Sequence, residues 1–97
     1  MTVYAVAQIS ITDRDAYGRY EAAFMEVLRK YGGRLLAAEE APRVKEGRWD
    51  FDKIIIIIAF ADEAALTVWA QSPDYRAISA DRKAGSHGIV LMVNGVQ

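Results

Sequence analysis

Apolar and polar side chains alternate from the third residue onward. Val3, Ala5, Ala7, Ile9 and Ile11 share one face, with Tyr4, Val6, Gln8 and Ser10 on the other. A period of two predicts a strand over residues 3–11. The period then changes. Tyr17, Tyr20, Phe24, Val27, Leu28 and Tyr31 recur at helical spacing, after Asp13 as an N-cap and before Gly32–Gly33 as a stop. Tyr17, Tyr20 and Tyr31 therefore belong to a core-facing stripe. Residues 34–40 predict a second strand, 43–45 a short extended piece within a polar connection, and 53–60 a third strand. Asp62 is placed to cap a helix over 63–71, and Ser72 with Pro73 starts another that stops at Gly85. "HGIVLMVNG" closes the chain as a fourth strand.

The two halves each run strand, helix, strand. That order, β-α-β-β-α-β, predicts a ferredoxin-like α+β fold: a four-stranded antiparallel sheet with the first and third strands central and the helices on one face. No repeat or low-complexity linker interrupts it, so residues 1–97 read as a single domain.

The third strand does not alternate. Five consecutive isoleucines make it apolar on both faces, with Ile55, Ile57 and Ala59 opposed to Ile54, Ile56, Ile58 and Phe60. The fourth strand is similar, with Ile89, Leu91 and Val93 against Val90 and Met92. Helices cover one face only. Leaving three isoleucines in water would forgo about 1.5–3 kcal/mol each, against a whole-domain stability of about 5–15 kcal/mol. A second copy docked sheet to sheet answers this, and a twofold pair is the commonest oligomer. A loop folded over the face, or a face left slack, is the alternative.

Composition narrows the function classes. Twelve basic and thirteen acidic residues give a net charge of −1, with no surplus to attract a phosphate backbone, so no nucleic-acid partner is expected. With no cysteine, disulfides, thiolate chemistry and Cys-ligated metal sites are excluded. The first residues lack a basic region followed by a long apolar one, and the apolar run at 54–61 is far too short to span a membrane. The expectation is a soluble cytoplasmic chain with no membrane partner.

The stretches "YAVAQISITDRDAYGRYEAAF", "YGGRLLA" and "EGRWDFDKIIIIIAFADEAALTVWAQSPDYRAISADRKAGS" together resemble the family catalogued as domain of unknown function 1330, in the dimeric α/β-barrel superfamily. The resemblance covers nearly the whole chain. The chain departs from it at residues 37–42, "AAEEAP", where such proteins often carry an Arg–Gly pair after the second strand begins. What the resemblance implies is a dimer with a cavity between sheets. Across that superfamily lie cofactor-free monooxygenases, ring-lactone isomerases and haem-handling proteins. The family itself carries no agreed activity, so it transfers no catalytic residue.

Candidate chemistry rests on few residues. His87, the only histidine, is a candidate general base or haem ligand, although a surface histidine at a helix-to-strand junction is ordinary. Tyr4, Gln8 and Ser10 form a polar-tipped stripe that could orient a ligand in an apolar pocket, or satisfy bonds within an interface. "RWD" at 48–50 and "SPDYRAI" at 72–78, with Arg82 four residues further on, offer Trp49, Tyr75 and that arginine for an anionic aromatic compound, where packing is the plainer role. No metal site and no cofactor is expected. The function reading is a small-molecule-binding homodimer, extending to a cofactor-independent enzyme acting on a small apolar or aromatic compound. Its rivals are a non-catalytic dimerisation or regulatory module without a pocket, and a haem-handling protein.

Overall fold

In a computed structural model that describes residues 1–49 and 53–96, the strands are β1 (Val3–Ile11), β2 (Arg34–Glu39), β3 (Ile54–Phe60) and β4 (Ser86–Asn94). The helices among the described residues are α1 (Arg14–Lys30), α2 (Glu63–Gln71) and α3 (Pro73–Gly85). The strands form one antiparallel sheet in the order β2-β3-β1-β4. This is the expected ferredoxin-like arrangement, with β1 and β3 central and the second helical segment divided in two.

The caps fall where the side chains direct. The Asp13 carboxylate accepts from the backbone N–H of Asp15 and Ala16 at 3.0 and 3.2 Å, opening α1. Its end is closed by Gly32 at φ 80°, a left-handed position that glycine adopts without a Cβ penalty. Asp62 accepts from the Ala65 N–H at 2.8 Å to start α2. Ser72 does two jobs. Its hydroxyl donates to the Trp69 carbonyl at 2.8 Å and accepts from the Tyr75 N–H at 3.0 Å, so one buried serine ends α2 and begins α3. The extended piece expected at 43–45 is not a strand: Pro42, which has no N–H to donate, and Gly47 at φ 86° flank a stretch outside the ladder.

Strand register decides which face each side chain takes. Val3, Ala5, Ala7 and Ile9 of β1 oppose Phe60, Ile58, Ile56 and Ile54 of β3, and this face meets the helices. Here lies the core: Val3, Ile9, Ile54, Ile58 and Phe60 are buried against Leu28, Tyr17, Tyr20 and Trp69. Tyr31, expected in the core stripe, is only half-buried and donates its hydroxyl to Asp74 at 3.1 Å. The other face carries Tyr4, Val6, Gln8 and Ser10 beside Ile55 and Ile57, with Ile89, Leu91 and Val93 of β4 next to them. Those three β4 residues are 54%, 53% and 43% exposed. Val90 and Met92, on the helix-facing side of β4, are exposed too, so the helices stop short of this edge strand.

Two exposed ion pairs link α1 to α3: Arg19–Asp81 at 3.1 Å and Lys30–Asp74 at 2.6 Å. Hydrogen bonds from Lys30 and then Tyr31 hold the Asp74 carboxyl below its usual range. A tighter seam joins the start of α1 to the end of α3. The Gly85 carbonyl accepts from the N–H groups of Thr12 and Asp13 at 2.8 and 3.0 Å. A Cβ on Gly85 would lie 2.6 Å from the Tyr17 nitrogen and 2.7 Å from the Asp13 oxygen, and both are backbone atoms that cannot swing aside. Gly85→Ala is therefore expected to destabilise by about 1–3 kcal/mol, as overpacking does. At about 4–8 °C per kcal/mol the loss is readable by thermal circular dichroism, and an unchanged midpoint would refute the close approach.

Candidate functional site

Short side chains on a central strand leave room. Between Val3 and Ile9, β1 presents only Ala5 and Ala7 to the helices, and β2 adds Ala38 beside Ile56. Above these alanines the helices place large aromatic rings that cannot descend to fill the gap. The result is a partly open pocket of about 380 Å³ between the sheet and the helices, within the usual range for small-molecule sites. Its floor is Ala5, Ala7 and Ile9 with Ile56 and Ile58, and its rims reach Leu35 on β2 and Val90 on β4. Tyr17, Tyr20 and Phe24 of α1, Trp69 of α2, and Tyr75 and Arg82 of α3 wall the helical side.

The rings form one continuous cluster. Trp69 and Tyr75 have centroids 4.1 Å apart, Phe60 and Trp69 5.3 Å, Tyr20 and Phe24 5.5 Å, and Tyr17 and Tyr20 5.6 Å. Tyr20 and Tyr75 meet edge to face at 6.2 Å, with their hydroxyl oxygens hydrogen-bonded at 3.0 Å. Burial pushes the Tyr17 phenol up to about 12, with the Glu21 carboxylate adding to the effect. Burial raises Tyr20 further, reinforced by Tyr75. Both hydroxyls stay protonated at neutral pH and act as hydrogen-bond donors or neutral acceptors. Three polar atoms in this wall are buried without a partner among the described residues: the Tyr17 hydroxyl, Trp69 Nε1 and Arg82 Nε.

The residues singled out in the sequence divide between two faces. Tyr75 and Arg82 line the pocket. Tyr4, Gln8 and Ser10 stand on the opposite face of β1, and His87 of β4 pairs with Ser10 there. Trp49 is half-buried in the connection before β3 and forms no part of the pocket wall, while Asp50 lies outside the described residues. Sequence reasoning placed Tyr17 and Tyr20 in a core-facing stripe and so missed the pocket. The available signal was Ala5-x-Ala7 on the core face of a central strand, opposite helices rich in aromatics. Among the described residues no three His, Cys, Asp or Glu side chains gather as a metal-binding group, and no helix is long and apolar enough to cross a membrane.

Comparison with known proteins places this architecture. A protein of unknown function from Rhodopseudomonas palustris superposes with a TM-score of 0.83 at 15% identity, over 99% of this chain and 83% of that one. The Mycobacterium tuberculosis protein Rv0793 gives 0.68 at 16% identity, over 100% and 97%. SnoaB, a cofactor-independent oxygenase from Streptomyces nogalater, gives 0.66 at 11% identity, over 99% and 94%. At such identities these likenesses speak for the fold alone. No curated protein matches the chain. The family model for DUF1330, a domain of unknown function, matches residues 2–96, and the chain belongs to that family.

Proposed function

We propose that the chain is a homodimer in which each copy binds a small, largely apolar ring compound between its sheet and helices. The pocket carries this reading. It has apolar walls, a stacked aromatic side and a few polar groups gathered near Tyr17, Tyr75 and Arg82, as ligand sites commonly do. The finer reading is that the compound is transformed without a bound cofactor, within the cytoplasm. The likeness to SnoaB, described as a cofactor-independent oxygenase, supports it by analogy of fold. In such an enzyme these residues would exclude water from the ligand, hold its rings against Trp69 and Tyr75, and fix its orientation from Arg82.

The second reading is a dimerisation or regulatory module without catalysis. The exposed apolar face formed by Ile89, Leu91 and Val93 favours it, since that face has an evident use that does not involve the pocket. Both readings share the dimer, and occupancy of the pocket separates them. A haem-handling role through His87 draws no support from the pocket, because that side chain stands on the other face of the sheet.

Two measurements check the proposal. Sedimentation equilibrium should give twice the 10.8 kDa chain mass, and Leu91→Asp should shift it toward the monomer by placing a charge in the contact. A stable monomer at high concentration in the parent protein would remove the dimer. For the pocket, 2-naphthol titrated against a Trp49→Phe background should quench Trp69 fluorescence. Ala7→Leu, or Ala38→Leu should that variant fold poorly, fills the void and should weaken binding at least about tenfold, equivalent to roughly 1.4 kcal/mol. Equal affinity in a folded filled variant would refute the pocket reading.

A further inference from the structure

Most of the unpartnered polar atoms of the pocket are donors. Trp69 Nε1 and Arg82 Nε can only donate and have no acceptor, and the Tyr17 hydroxyl, able to donate or accept, is also without a partner among the described residues. The Tyr20–Tyr75 pair spends one of its two hydroxyl hydrogens on their mutual bond, which leaves the second to be placed. Against these donors the wall offers one acidic side chain, Glu21, which is exposed at the rim.

These groups also converge. Tyr17 and Tyr20 are three residues apart on α1, and Tyr75 and Arg82 are seven apart on α3, so each pair shares a helix face. The two helices pack together, and all four side chains line the same pocket. Trp69 adjoins through Tyr75. One cation and several neutral polar groups therefore share the helical wall of an otherwise apolar chamber. Buried polar groups almost always find partners. Here the missing partner is an acceptor.

Resting on the reading of this pocket as a ligand site, we infer that its ligand is a ring-bearing monocarboxylate whose carboxylate lies at the Tyr17–Tyr75–Arg82 end. A carboxylate is flat, carries one negative charge and offers acceptor sites on two oxygens, which suits a guanidinium flanked by hydroxyls. A phosphate dianion would bring more charge than the single cation among these groups balances. Water does not reach the three orphaned atoms, so the wall must yield by a side-chain rotation as the acid enters. Half-buried Arg82 has the freedom to supply it, since Tyr75 is held by its bond to Tyr20 and its contact with Trp69.

Isothermal titration of 2-naphthoate, its neutral analogue 2-naphthamide and the cation 2-naphthylmethylammonium tests the assignment at neutral pH. Naphthoate should bind at least about tenfold tighter than the amide, the scale of one charge-assisted hydrogen bond, and the cation weakest. Arg82→Gln should remove the preference while leaving amide binding in place. Tyr17→Phe deletes a buried hydroxyl that has no partner, so it should hold or raise the melting temperature while weakening naphthoate binding severalfold. A merely structural role for Tyr17 would not split stability from affinity in this way. Equal binding of acid and amide, unchanged by either substitution, overturns the carboxylate assignment and leaves the pocket reading standing. If none of the three probes binds, the pocket reading fails and takes this assignment with it.

Discussion

The antiparallel sheet is apolar on both faces, and among the described residues the helices cover only one of them. That imbalance divides the molecule into a packed side and an open one. On the covered face, Val3, Ile58 and Phe60 close against Leu28 and Trp69 and make the core. On the other, β1, β3 and β4 present a broad patch whose β4 portion is about half exposed. Burying a residue of this size is worth about 1.5–3 kcal/mol, so the patch represents a driving force comparable to the stability of a domain this small. Without a second copy that energy is unused and the surface is adhesive.

β1 serves both faces at once. Its odd-numbered residues reach the helices and its even-numbered residues reach the uncovered face, because strand side chains alternate. Ala5 and Ala7 therefore form the floor of the pocket while Tyr4, Val6 and Gln8, their immediate neighbours in sequence, look the opposite way. The polar stripe and the pocket are separated by the thickness of one strand. A partner resting on Tyr4 and Gln8 would brace the floor under any ligand without touching it, which gives dimer formation a direct physical route to pocket rigidity.

Element order, caps and strand pairing were legible because each depends on local chemistry. Asp13, Asp62 and Ser72 bond to N–H groups two or three residues ahead, and a reader of the sequence can see both partners. The apolar duplication of β3 was legible for a similar reason, since five isoleucines cannot all face one way. The pocket was not legible. It exists because Ala5, Ala7 and Ala38 lie beneath Tyr17, Tyr20 and Trp69, residues far apart in the chain, and period alone marks all of them as core. A stripe of small residues under large ones packs solidly or leaves a void according to helix height above the sheet, which no local pattern encodes. His87 stands apart from the pocket for the converse reason: residue type is visible in the sequence, while its register beside Ser10 puts it on the other face of the sheet.

The helical wall bears on why a void persists in so small a domain. Interiors are ordinarily packed as densely as organic crystals, and unfilled space forfeits dispersion contacts along its lining. Collapse is resisted here by the rings themselves. Trp69 is held between Phe60 and Tyr75, and Tyr20 between Tyr17, Phe24 and Tyr75, so none can tip toward the alanines without breaking ring contacts elsewhere. The Tyr20–Tyr75 hydrogen bond and the exposed α1–α3 ion pairs tie the two helices of that layer to each other. Rigid rings over short side chains, with unpaired donors in the wall, make a chamber whose stability improves when something fills it. That dependence runs the same way whether the occupant is transformed or only held.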